Sequence, residues 1–308
     1  MRISPISINN TVQIKKEIFK NKDNIKINPT GNPQERKPLG QFIFGMLFPK
    51  LPQFKEGQIP CSDNNKIFNR PTTYFFRKDL NWKEFLEVIQ ERFKNANKVN
   101  TYIWGCSKGD EAYSLAMLLD RYFGAESEKF FPIEAKDIDE ETIKSNKTEQ
   151  SERVISRTSE KEKIKKVLRL TPNEESKYYS VFPGTDSIKL NSDCIKKINF
   201  EASNIVTDLG LIDSENPSLV MCRNMWPYIN PDKYESCAKE LYDRLAKGSL
   251  MVIGDYDCFG ELGYFGSKDF PKELIKAGFT PVYIKGVGDR SSLSEDELKQ
   301  FVLIYERN

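Results

Sequence analysis

The sequence contains no histidine. That absence removes Ser-His-Asp and Cys-His hydrolases, His-ligated metal enzymes and imidazole acid–base catalysis. Its six cysteines (Cys61, Cys106, Cys194, Cys222, Cys237 and Cys258) form no CxxC pair. No metal site is therefore expected, and free buried thiols are the expected state. Charge of one sign is also lacking: 47 basic and 45 acidic side chains leave a formal charge of +2. Such a balance gives no electrostatic footprint for a nucleic acid or an anionic membrane. Nor does any stretch approach the roughly 20 apolar residues of a membrane span. The apolar run Phe42–Phe48 is short and stops at Pro49, and Met1–Lys20 lacks the apolar core of a secretory signal. A cytoplasmic protein, without membrane insertion, is expected.

What is present is enough apolar material for a real core: 38% hydrophobic and 12% aromatic residues in 308. That length suits one large domain with an appendage, or two modest domains. Residues 1–60 are rich in Asn, Lys, Pro and Ile and show little periodicity beyond a possible short helix at Val12–Phe19. They are expected to be an irregular extension, with Gln41–Phe54 packing its aromatics on the main domain. From Asn81 the pattern becomes regular. Asn81 caps a helix to about Lys94 whose buried face is Trp82, Phe85, Leu86, Ile89 and Phe93. Val99–Trp104 reads as a strand, Glu111–Phe123 as a helix with Leu115, Leu118, Leu119 and Tyr122 inward, and Phe130–Ala135 as a second strand. Lys144–Lys166 reads as a solvated charge run, and Tyr178–Phe200 as a small hairpin excursion around Pro183-Gly184. Ser218–Cys222, the helix Pro231–Leu245, and Leu250–Gly254 follow.

Strands alternating with helices predict an α/β, doubly wound, mostly parallel sheet. Pro281–Lys285 and Phe301–Tyr305 have no full helix between them and are expected to form an antiparallel edge. In such a sheet the ligand site lies beyond the carboxyl ends of the strands at the switch point. That draws attention to Gly105–Glu111, where Gly105 and Gly109 allow close backbone approach. The segment is neither GxGxxG nor GxxxxGK[ST], and Asp110 and Glu111 disfavour a pyrophosphate. A ligand with positive charge or hydroxyls fits better. Asp137, at the tip of the second strand, is open between a ribose contact and a purely structural role, whereas Asp139 is placed as a helix cap. Lys108 is open between a solvated loop charge and a ligand contact. Phe75, Phe76, Trp104 and Tyr113 are assigned to the core, and Cys106, with no base near it in sequence, is not assigned as a nucleophile.

Four blocks in order, TYFFR (Thr73–Arg77), WGCSKGDEAYSLA (Trp104–Ala116), DID (Asp137–Asp139) and CRNMWPY (Cys222–Tyr228), resemble the signatures of CheR-type chemoreceptor (protein-glutamate) methyltransferases. The resemblance covers about Phe68 to Gly254. It implies a class I methyltransferase fold over residues 61–308, a small inserted β-subdomain at about 175–198, and S-adenosylmethionine as cofactor, with S-adenosylhomocysteine as product. It implies that Thr73 and Arg77 border the cofactor and reacting centre, that Gly105 is cofactor-binding, and that Glu111 pairs with the methionine part. Asp137 would hold the ribose, Asn204 and Ile205 would flank the adenine, Asn224 and Met225 would contribute from a later strand, and Tyr228 would stand beside the methyl. Arg77 and Tyr228 are the implied catalytic residues, and the implied partner is a protein substrate such as a chemoreceptor cytoplasmic region. Pro71, Lys108, Ala112 and Pro227 depart from the family pattern. A same-fold methyltransferase with another substrate, or a non-catalytic descendant, is the alternative. Oligomeric state is not legible.

Overall fold

The computed structural model describes residues 73–150, 153–156, 158–191, 193, 196–258, 270–284 and 303–308. The expected extension at 1–60, Pro71, Cys61, Cys194 and the stretch between the last two expected strands lie outside the described residues. Elements are numbered in chain order through the described part.

Helix α1 (Trp82–Phe93) starts where Asn81 Oδ1 accepts the Glu84 N–H at 3.3 Å, and it buries the five residues expected of it. It leads into β1 (Asn100–Trp104), which pairs in parallel with β2 (Ile133–Asp137) on one side and β7 (Ser218–Cys222) on the other. Beyond β2 lies β6 (Ile198–Ala202), also parallel; beyond β7 lies β8 (Leu250–Ile253). The last two strands, β9 (Thr280–Val282) and β10 (Ile304–Glu306), complete the sheet order β6-β2-β1-β7-β8-β10-β9. β10 runs antiparallel to both neighbours, so the reversed strand sits one place in from the edge and β9 is outermost. β7 and β8 are buried at every position. Strands covered on both faces need continuous apolar runs, and SLVMC and LMVI supply them.

Helix α2 (Asp110–Phe123) follows β1, and α3 (Glu140–Glu149) follows β2. Glu111 to Leu119 are all buried in α2, so this helix is enclosed rather than amphipathic. Burying each large apolar side chain there stabilises the fold by about 1.5–3 kcal/mol. Tyr122, expected inward, is instead exposed, with its hydroxyl 3.4 Å from Gln90 Oε1. The second strand starts at Ile133, not Phe130, because Gly124–Phe130 forms a 3-10 turn and Pro132 has no N–H for a ladder. Between β7 and β8 the chain turns through Pro231–Lys233 into α6 (Tyr234–Arg244), and α7 (Phe270–Ala277) precedes β9.

Between α3 and β6 lies a second, three-stranded antiparallel sheet, order β3-β5-β4, from β3 (Val154–Ile155), β4 (Tyr179–Val181) and β5 (Ile188–Leu190). Helices α4 (Thr158–Leu168) and α5 (Pro172–Tyr178) belong to this insertion; Thr171 and Glu174 cap α5 reciprocally. Two sequence readings need correction here. Ile198–Ala202 is a strand of the main sheet rather than part of the hairpin excursion. The charge run is only partly solvated: Ile164 and Leu168, four apart on one helical face, are buried, as is Asn146. Cys106, Cys222 and Cys237 are buried free thiols, and Cys258 is partly buried. No described helix is long and apolar enough to cross a membrane.

Candidate functional site

The sheet order reverses between β1 and β7, and the turns leaving those strands meet there. After β1 the chain passes through Gly105 (φ +70°), Ser107 (φ +47°) and Gly109 (φ +82°) before α2 begins. A Cβ on Gly105 would lie 3.2 Å from Met225 Cβ and 3.3 Å from its sulfur; one on Gly109 would lie 2.9 Å from the Phe200 ring. Both positions take the backbone conformation that favours glycine, and at Gly109 a side chain would also overlap the Phe200 ring. The turn is pinned to β2: Ser107 N–H donates to Asp137 Oδ2 at 2.7 Å, and Asn146 Nδ2 donates to the Ser107 carbonyl at 2.7 Å.

Asp137 stands at the tip of β2, half-buried, with Oδ1 also accepting the Asp139 N–H at 3.0 Å. Burial pushes its carboxyl above the ordinary range, against those two backbone bonds. Two bonds leave acceptor capacity on a carboxylate. Asp139 is the helix cap the sequence assigns: its carboxylate accepts from Glu141 N–H and Thr142 N–H. β6 ends beside Asp137, where Ser203 N–H donates to the Asp137 carbonyl. Asn204 follows in a turn closed by Asp208, with Asn204 Oδ1 holding the Val206 N–H at 2.9 Å; Ile205 is buried.

Glu111, in the first turn of α2, does not face the cleft as a free carboxylate. Its Oε2 accepts from Arg223 Nη1 at 2.8 Å, and Arg223 Nη2 reaches Asp79 Oδ1 at 2.6 Å. The Arg223 side chain is 0% exposed and lies 5.4 Å from the Trp82 ring. The two carboxylates respond differently to this shared cation. For Glu111, burial outweighs the charges of Arg223 and Arg77, and its pKa is raised. Asp79 feels burial too, but Arg223, Arg77 and the Asp255 N–H together hold it below the ordinary range. Glu111 Oε1 has no hydrogen-bond partner among the described residues, and the Arg223 Nε–H, fully buried, has none either.

Residues Thr73–Arg77 lie against the start of α2. Phe76 N–H donates to Ser114 Oγ at 2.9 Å, Lys163 Nζ to the Phe75 carbonyl at 2.9 Å, and Trp82 Nε1 to the Arg77 carbonyl at 3.0 Å. Arg77 is near enough for its charge to act on both Asp79 and Glu111. Thr73 is buried without a hydrogen bond to these groups among the described residues. On the opposite side, Asn224 (φ +59°) and Met225 leave β7, and Tyr228 ends the turn Trp226–Tyr228 with its side chain exposed. Lys108 is exposed, and its charge acts on Glu149. The structure thus brings Gly105, Glu111, Asp137 and Met225 into one neighbourhood with Arg77; among the described residues no hydrogen bond ties Thr73 or Asn204 directly to Glu111.

Three residues essential to this geometry were not singled out in the sequence. Arg223 sat unassigned inside the CRNMWPY block; a cation placed directly after an all-apolar strand was the available signal. Asp79 carried none. Asp257, just past β8, accepts N–H bonds from Asn224 (2.6 Å), Trp226 (3.1 Å) and Gly254 (2.7 Å). Its only signal was its place after a buried strand.

A cofactor joining an amino acid to a nucleoside needs an anionic and a cationic partner at one end, an acceptor for ribose hydroxyls, and bare backbone between. Glu111 with Arg77 beside it, Asp137, and the Gly105 cradle are the groups that would meet those needs. A doubly wound sheet with this switch-point chemistry defines a nucleoside-cofactor α/β protein. Residues 71–265, well over half of the chain, match the family described as CheR methyltransferase, SAM binding domain. The chain belongs to that family, and it is an S-adenosylmethionine-dependent methyltransferase. It is similar to a chemotaxis protein methyltransferase of Listeria innocua, 23% identical over 213 residues, 68% of this chain and 73% of that protein. It is also similar to chemotaxis protein methyltransferase 2 of Vibrio cholerae, 22% identical, covering 65% and 67% of the two chains. A third relative, the chemotaxis protein methyltransferase of Borreliella burgdorferi, is 25% identical, covering 59% and 62%.

Proposed function

We propose that this protein is a protein-glutamate O-methyltransferase, acting in the cytoplasm on the cytoplasmic region of a chemoreceptor. The observation that carries the reading is the placement of Arg77, in the segment packed against the start of α2, where its charge acts on Glu111 and Asp79. A guanidinium there attracts and orients an anionic acceptor by charge-assisted hydrogen bonding. S-adenosylmethionine, when bound, supplies an electrophilic sulfonium methyl. Asp137 holds the ribose hydroxyls with its remaining acceptor sites, beside Asn204 and Ile205 at the adenine. Glu111 Oε1 takes the ammonium of the methionine part, and Thr73, Asn224 and Met225 close the pocket around Gly105. Tyr228, exposed at the end of its turn, lines the approach of the acceptor.

A glutamate carboxylate is ionised at neutral pH, with an ordinary pKa of about 4.3. Its oxygen would accept the methyl as the carbon–sulfur bond leaves its electron pair on sulfur, so no residue of this chain has to move a proton. A chain without histidine loses nothing by this chemistry. Its task is alignment, an effect that can supply on the order of 7–11 kcal/mol. The test is methyl transfer from labelled cofactor to a receptor cytoplasmic fragment. Base-labile label, released as methanol, is expected; base-stable label contradicts a carboxylate acceptor.

A further inference from the structure

We propose that Asp257 is a positioning residue for the cofactor pocket, setting Arg223, Asn224 and Met225 through the backbone of the β7 exit. The inference rests on the reading that these residues line the cofactor site. Asp257 is 4% exposed and its carboxylate joins the tips of two adjacent strands: Asn224 and Trp226 N–H after β7, Gly254 N–H after β8. Those bonds act where the backbone is least at ease. Asn224 is left-handed, at φ +59°, a conformation that few residues other than glycine and asparagine adopt. Its carboxamide lies over Gly254, where any Cβ would overlap it. Held so, residue 223 carries its guanidinium to Glu111, and residue 225 lies under Gly105.

Trp226 has its own anchors. It is fully buried, its ring is stacked on Phe270, and its carbonyl accepts the Tyr234 hydroxyl at 2.6 Å. Loss of the Asp257 carboxylate therefore releases residues 223–225 while the turn beyond them stays docked. The consequence is a looser pocket, over and above any loss of stability.

The test is calorimetry of S-adenosylhomocysteine with the full chain at pH 8.5, using Asp257→Ala, Asp257→Asn, Asp137→Ala and Ile198→Ala. Ile198 is buried at the start of β6, the end of the sheet away from the cleft, and its truncation supplies destabilisation without touching the site. Asn can accept from Asn224 and Gly254 but turns an NH2 toward the Trp226 N–H. Asp257→Ala is expected to weaken binding about tenfold or more and Asp257→Asn by roughly three- to tenfold. Ile198→Ala is expected to stay within about twofold of the parent despite a lowered urea midpoint. If Asp257→Ala does not fold, Asp257→Asn carries the comparison. Parent-like affinity in the Asp257 variants beside weakened Asp137→Ala overturns the proposal, as does equal weakening in Ile198→Ala. Parent-like affinity in Asp137→Ala as well would instead overturn the assignment of the cofactor site.

Discussion

Removing the Glu111 carboxylate perturbs stability and binding at once, and the two effects can be separated. In Glu111→Ala, the Arg223 guanidinium, 0% exposed, keeps only Asp79 at 2.6 Å. Breaking a buried ion pair by deleting one partner costs about 3–5 kcal/mol. Asp79 remains, and its acid form is already disfavoured by Arg223, so a loss near about 3 kcal/mol is expected. Glu111→Gln keeps an acceptor for Arg223 Nη1 and replaces a charge-assisted bond by a neutral one, a loss of about 1–2 kcal/mol. Urea unfolding followed by the fluorescence of the three tryptophans reads this directly. With a slope of about 3 kcal/mol/M, Glu111→Ala lowers the midpoint by about 1 M, and Glu111→Gln by roughly half that. Both variants should also bind S-adenosylhomocysteine more weakly, since Oε1 no longer offers a full charge to the ammonium. A Glu111→Ala midpoint within about 0.2 M of the parent would refute the picture of a buried triad.

Other outcomes follow from the same geometry. Gly254→Ala should displace the Asn224 carboxamide and weaken S-adenosylhomocysteine binding about two- to tenfold; unchanged affinity would remove Asn224 from the pocket. Asp139→Ala should cost about 1 kcal/mol through loss of the α3 cap, with binding nearly unchanged; a large loss of affinity would reverse the division of roles between Asp137 and Asp139. Burial pushes Asp257 up to about 7 from its ordinary 3.8, so the folded state holds the extra proton between those values. The stability from this group is full below about pH 4 and is lost as pH rises through about 7. The parent's urea midpoint should therefore fall between pH 5 and 8 relative to that of Asp257→Asn; parallel curves would contradict it.

How much of this was legible varied with the kind of signal. β1, β7, β8 and α1 were readable because burial on both sheet faces or one helical face imposes an apolar pattern that Val99–Trp104, Ser218–Cys222 and Trp82–Phe93 display. β6 was hidden because an edge strand buries only Ile198 and Phe200 among its five residues, and INFEA reads as an extension of the neighbouring hairpin. Asp139 as a cap was readable, since capping is local and needs only the next turn. The Asp79–Arg223–Glu111 triad was not, because its members are 144 and 112 residues apart and strand pattern says nothing of what a side chain at the tip meets. The same limit hid Asp257, whose partners leave a different strand. Glu111 was singled out in the sequence, but its bond to Arg223 was not, because its own sequence neighbourhood gives no hint of the cation that meets one of its oxygens.

The most direct test is a crystal structure of the full chain with S-adenosylhomocysteine. The ribose hydroxyls are predicted on the Asp137 carboxylate, the amino-acid end beside Glu111 and Arg77, and the sulfur facing Tyr228. A ligand bound elsewhere, or in the cleft with its ribose away from Asp137, would contradict the account.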